Sequence, residues 1–211
     1  MTKHDFLYSH WQQMVGDCNP AIADFLFDQL CQRYAEPHRQ YHNWAHIGAV
    51  WQHLEPHFGT LHYPLAVQFA VFYHDAIYNT QQRDNEEQSA YLAQNDLAIM
   101  GYDAQLQQRV GALIQATKTH IAPPNDHDMR YFLDADLAIL GSPPAEYAIY
   151  SRAIRQEYSW VVDEWYAMGR MKVLQQLSDQ TDLYKTPDFS LRYDAQARQN
   201  IANEIAQWHV I

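Results

Sequence analysis

From Leu65 to Tyr73 the chain is apolar on nearly every side, with Gln68 the one polar interruption, and the run stops at the adjacent pair His74-Asp75. A helix apolar all round has to be buried, so this segment belongs at the centre of the fold. Two ionisable groups at its end are therefore held against the core, where charge is costly unless it is paired or bound to a metal. A neutral imidazole beside an ionised carboxylate suits a divalent transition metal, and adjacent side chains at a helix end can both bend toward an ion beyond the last turn.

Two further stretches carry compatible groups. In Tyr41-His42-Asn43-Trp44-Ala45-His46 two imidazoles stand four residues apart, which on a helix places them on one face. In Phe132-Leu133-Asp134-Ala135-Asp136-Leu137 two carboxylates sit inside an apolar segment. Residues two apart on a helix are separated by roughly 200°, so Asp134 and Asp136 cannot both face one ion. The His42/His46 spacing also occurs in zinc proteases, but those need Glu directly after the first His, and Asn43 stands there.

The rest of the chain reads as helices. Asn19-Pro20 opens a helix over about 20–35, following a weaker amphipathic stretch from Asp5 to Val15. Ile47, Val50, Trp51 and Leu54 recur at helical spacing over 44–54. Asn85 is expected to cap Glu86 to Met100, with Gly101 closing it, and Asp103 to open the next helix. A helix over 129–140 stops at Gly141, a long helical region from Pro144 to Gln180 bends near Gly169, and Asp194 caps the last helix. With no alternating strand pattern, the expectation is an all-α compact helical bundle forming one domain over 1–211. Its metal-site core spans roughly 40–140, covered by C-terminal helices over 144–208.

Net charge −11 argues against binding nucleic-acid polymers, which needs a basic face, but a bound cation can still make a local pocket for a small anion. Cys18 and Cys31 lack CxxC spacing, so neither a zinc ribbon nor a disulfide framework is expected. No apolar run has membrane-spanning length and the first residues lack a signal-peptide core, so the expected compartment is the cytoplasm.

The order His, His-Asp, distant Asp resembles the HD superfamily of metal-dependent phosphohydrolases. Tyr41-His42-Asn43-x-x-His46 is similar to the opening metal-site motif of cyclic-nucleotide phosphodiesterases, one branch of that superfamily, and Ala135-Asp136-Leu137 is similar to their Ala-Asp-Leu. By motif the resemblance covers roughly residues 40 to 140, and the whole chain looks like a bacterial group of predicted HD phosphohydrolases. It implies an HD-domain-like fold and His46, His74, Asp75 and Asp136 as ligands of one divalent ion, Mn, Mg, Co, Fe, Ni or Zn, with a second ion left open. It also implies His42 as proton donor to the leaving group, with Asp75 or Asp136 orienting the attacking water. Asp134 is then left for a bond to a ligand imidazole or for a salt bridge.

Weaker candidates for holding substrate are Glu86 or Glu87, Lys118, His120, Arg155 and Arg170, each with an ordinary reading as a helix-end or surface charge. Trp44, Trp51, Tyr73 and Tyr78 offer either a wall for a nucleobase or core packing. The implied reaction is hydrolysis of a phosphate ester or anhydride on a small metabolite, with nucleotides in view and a homodimer left open. Two rivals stand beside it. One is an HD-type di-iron oxygenase, which needs more histidines than His120 and His127 between the doublet and the last Asp. The other is a nucleotide sensor that binds without turnover.

Overall fold

Buried apolar faces at helical period underlie most of the helices. The computed structural model describes residues 3–208, with helices and no strand among them. None of its helices is long and apolar enough to cross a membrane. The chain divides into two compact units, residues 1–133 and 134–211. His209, expected at the surface, lies outside the described residues.

The first unit comprises α1 (Lys3–Val15), α2 (Pro20–Tyr34), α3 (Trp44–Leu54), a 3-10 helix (Glu55–Thr60), α4 (Pro64–Tyr73), α5 (Asn85–Ile99), α6 (Ala104–Ala116) and the start of α7 (His127–Asp136). Helix α4 is its centre: Ala66, Val67 and every residue from Phe69 to Tyr73 are fully buried. The buried Trp11 ring lies 5.4 Å from Phe72, 5.8 Å from Phe27 and 6.0 Å from Phe69, and its indole N–H donates to the Ala23 carbonyl at 3.0 Å. Each such aromatic contributes about 1.5–3 kcal/mol by burial.

Local signals set most helix boundaries. Asn19, Asn43 and Asp103 cap α2, α3 and α6, their side chains accepting from Ala21, Ala45 and Leu106 amides at 2.8–2.9 Å. Gly101, at φ +86°, ends α5 in the left-handed region that favours glycine. Asn85 departs from expectation. It is the first residue of α5, and its amide both accepts from and donates to the Asn79 backbone at 3.0 Å, bracing the loop after the His-Asp pair.

The second unit holds the end of α7, a 3-10 helix (Leu137–Gly141), α8 (Pro144–Glu157), α9 (Asp163–Ser178) and α10 (Pro187–Trp208). The expected helix over 129–140 thus tightens after Asp136. The expected long helix is two helices, broken at 158–162 and not at Gly169, which lies inside α9. Arg155 holds that corner, donating to the Tyr158 and Val161 carbonyls and to the Asp163 carboxylate. Helix α10 begins at Pro187, a residue suited to the first helical turn, so Asp194 is interior and pairs with Arg198 at 2.7 Å. Close to the 3-10 turn, α10 leaves no room for a side chain at Gly141: a Cβ there would sit 2.5 Å from Tyr193 Cβ and 2.6 Å from its carbonyl oxygen.

Candidate metal centre

The end of α4 is a helix C-terminus whose carbonyls all need partners, and the way they are satisfied builds the site. Val71 O receives His74 Nδ1 at 3.0 Å, Phe72 O receives the Tyr34 hydroxyl at 2.9 Å, and Tyr73 O receives the Ala76 amide at 3.0 Å. A carbonyl can only accept, so His74 Nδ1 carries a proton, and Nε2, the nitrogen left for a metal, points away from the helix. An outer partner that fixes tautomer and ring orientation is the usual support of a metal-binding imidazole.

That nitrogen faces His46. His46 lies in the first turn of α3, behind the Asn43 cap, and its Nε2 is 3.1 Å from His74 Nε2. Asp75 Oδ2 completes the triangle at 3.3 Å from His74 Nε2 and 3.4 Å from His46 Nε2. Both imidazoles are buried, and the Asp75 side chain keeps 20% of its exposure. Asp136, the fourth expected ligand, is the half-buried last residue of α7 and falls in the second unit. Within the first unit, His46, His74 and Asp75 bring three possible ligand atoms for a metal ion within 3.4 Å of one another.

The donor set fits such an ion. Two imidazole nitrogens at 3.1 Å with a carboxylate oxygen beside both match the ~3 Å spacing of neighbouring ligand atoms on an ion with bonds of ~2.1 Å. Burial alone would raise the Asp75 carboxyl. The charges of His74 and His42, with hydrogen bonds from His46 and His74, outweigh it and hold Asp75 well below the usual carboxylate range. The site therefore keeps its anion ionised at any ordinary pH.

His42 does not share a helical face with His46. It sits in the turn before α3, with its ring stacked on Tyr78 at 4.2 Å and 5.8 Å from the His46 ring. Tyr41 covers His46 from the other side of the sequence motif, ring to ring at 4.8 Å. Of the aromatic candidates, Tyr78 stands beside the site. Trp51 and Tyr73 are core, and the Tyr73 hydroxyl donates to Asp96 at 3.0 Å. Trp44 stacks on Phe27 at 5.6 Å.

Asp134 is fully buried and, among the described residues, hydrogen-bonds neither an imidazole nor a cationic side chain. Its oxygens accept from the Lys185 and Thr186 amides, both at 2.7 Å, and from the Thr186 hydroxyl at 2.6 Å, anchoring the start of α10. Glu87, Lys118, Arg155 and Arg170 among the weaker substrate candidates already have protein partners. Lys118 donates to Glu87 at 2.6 Å and to the Arg83 carbonyl, Arg155 holds the α8–α9 corner, and buried Arg170 pairs with Glu204 at 2.8 Å. Glu86 lies half-buried in the first turn of α5, and His120 ends the turn after α6 at φ +51°.

Arg39 escaped the sequence reading. It lies in the loop before the Tyr41–His46 motif, and its side chain is fully buried. No periodicity or spacing marks it; a lone Arg after Pro37 reads as loop polarity. No protein family, no curated protein and no solved structure matches this chain.

Proposed function

We propose that this chain is an HD-type, metal-dependent hydrolase of phosphate esters or anhydrides on a small metabolite, with nucleotides the first class to test. The observation that carries the reading is the triangle of His46 Nε2, His74 Nε2 and Asp75 Oδ2 at 3.1–3.4 Å, to which the family resemblance adds Asp136 as fourth ligand. Four ligands, two neutral and two anionic, leave room on an octahedral ion for water and substrate. When bound, the ion polarises a phosphoryl oxygen and makes water acidic enough to serve as nucleophile near neutral pH.

The chain's own residues do the rest. Asp75, kept ionised and partly exposed, accepts a hydrogen bond from the attacking water and aims it. His42 lies outside the buried pair, close enough to Asp75 to act on its charge, and donates a proton to the departing oxygen. Its stack on Tyr78 limits the ring to one plane, so the donor is placed before substrate arrives.

Metal analysis of the purified protein, joined to phosphate release from nucleotides and sugar phosphates with Mn, Mg, Co, Fe or Ni added, tests this. One ion per chain with metal-dependent phosphate release, both lost in His74→Ala, is the expected result. Two irons per chain with oxygen consumption and no phosphate release would replace it with the oxygenase reading. Tight nucleotide binding without product would replace it with the sensor.

A further inference from the structure

We propose that Arg39 is a positioning residue for the metal centre, its guanidinium locking the His42 turn and the Asp75-Ala76 turn into one register. This rests on the metal-site reading above. Arg39 Nη1 donates to the His42 carbonyl at 3.1 Å and to the Asp75 carbonyl at 2.6 Å, and Nη2 donates to the Ala76 carbonyl at 3.0 Å. Nε donates to Glu36 at 2.9 Å, and the guanidinium carbon lies 5.1 Å from the Tyr34 ring centroid and 5.4 Å from that of Tyr78.

Three of these acceptors are backbone carbonyls, one of them three residues on from Arg39 and the other two 36 and 37 residues on, and each belongs to a site residue or its neighbour. Asp75 and Ala76 follow the last turn of α4, where carbonyls lack helical partners and a cation is favoured. Arg39 thus supplies the donors that this helix end lacks and brings His42 with it. The same ring that Arg39 lies against, Tyr78, stacks on His42, so one cation bears on the proton donor from its backbone and its side chain. Ser89 holds the far side of the same turn, its hydroxyl accepting from the Ile77 amide at 3.0 Å and donating to the Ile77 carbonyl.

Only a planar fork can make these bonds at once. Lysine would keep the charge but offer a single point, so Arg39→Lys separates geometry from charge. Partners that orient metal ligands typically matter about 10–100-fold in metal affinity. Zn2+ and Co2+ affinity, measured by competition with a chromophoric chelator, is therefore expected to weaken at least roughly tenfold in Arg39→Lys. Tyr34→Phe removes a hydroxyl bond to the same helix end without touching the fork, and serves as a reference for simple destabilisation. It should leave affinity within about threefold of wild type, whatever its Tm.

Affinity in Arg39→Lys within about threefold of wild type, or matched by Tyr34→Phe at equal loss of Tm, would overturn the proposal. Should Arg39→Lys not fold, Glu36→Gln takes its place. Loosening the guanidinium at Nε alone is expected to weaken metal binding about two- to fivefold, and no change there would overturn the proposal. His46→Ala fixes the baseline. If wild type binds metal no better than His46→Ala, the metal reading itself has failed and Arg39 has nothing to position.

Discussion

Nε2 of His46 and Nε2 of His74 face each other at 3.1 Å, although His74 Nδ1 already donates to the Val71 carbonyl. Two lone pairs cannot meet at that distance, so without a metal one of the two nitrogens carries a hydrogen and donates it to the other. An ion between the rings needs both Nε2 lone pairs, so that hydrogen has to shift to the far ring nitrogen or leave when metal binds. Zinc affinity, measured by competition with a chromophoric chelator, is therefore expected to fall at least roughly tenfold in His46→Ala and in His74→Ala alike. Wild-type affinity in His74→Ala would mean that no ion binds between these rings.

The two carboxylates of α7 should separate cleanly. Asp136 is proposed as a metal ligand, whereas Asp134 receives two amides and a hydroxyl from Lys185 and Thr186. Asp136→Asn is expected to reduce metal affinity with little change in stability. Asp134→Asn is expected to lower stability by about 2–4 kcal/mol, because an amide group meets donors where an anion stood. Burial raises the Asp134 carboxyl above its ordinary value, against the bonds from Thr186 and Lys185. The folded chain then holds this proton where the unfolded chain has lost it, so the group's contribution grows as pH falls through the raised value and fades above it. Urea melts at several pH values should show that slope in wild type and its loss in Asp134→Asn.

What could be read in advance was local. Residues 65–73 declare a buried helix by themselves, Asn43 and Asp103 sit one residue before apolar periods, and Gly101 follows one, so α3, α4, α5 and α6 come out close to their observed ends. The His-Asp pair is legible for the same reason. Helix breaks inside apolar sequence are not: Tyr158, Val161 and Val162 continue the pattern of α8, and the corner exists because Arg155 satisfies its carbonyls. His42 was misplaced by assuming that i, i+4 spacing implies helix, when Asn43 between them is the cap. Arg39 was invisible because its role depends on carbonyls brought to it from the far end of another helix.

Arg170 illustrates a cation that folding has already used. Its guanidinium and Glu204 retain 8% and 3% of their exposure, and Glu204 also accepts from the Tyr147 hydroxyl at 2.6 Å. Arg170→Met should cost about 3–5 kcal/mol by stranding the carboxylate, and adding Glu204→Leu should recover part of that loss. Burial opposes ionised Glu204, but Arg170 outweighs it and keeps the carboxyl below its usual value. The pair's contribution is therefore present above the ordinary carboxylate range and is lost as pH falls through the lowered value. Chemical denaturation measures both effects. A selective loss of substrate affinity at unchanged stability would instead return Arg170 to the substrate site.

His120 offers a substitution expected to stabilise. Its φ of +51° lies in the left-handed region, and its amide donates to the Ala116 carbonyl at 2.9 Å, the position after a helix where glycine is favoured. An L-residue pays about 1 kcal/mol to sit there, while glycine brings extra unfolded-state entropy that offsets part of the relief. The net expectation for His120→Gly is a gain of about 0.5–1 kcal/mol, read as a higher Tm, with metal content and phosphate release unchanged. A strained backbone is also what a functional side chain can impose. Should His120→Gly raise Tm yet lower phosphate release more than about tenfold at full metal content, the strain serves substrate binding and His120 belongs to the site.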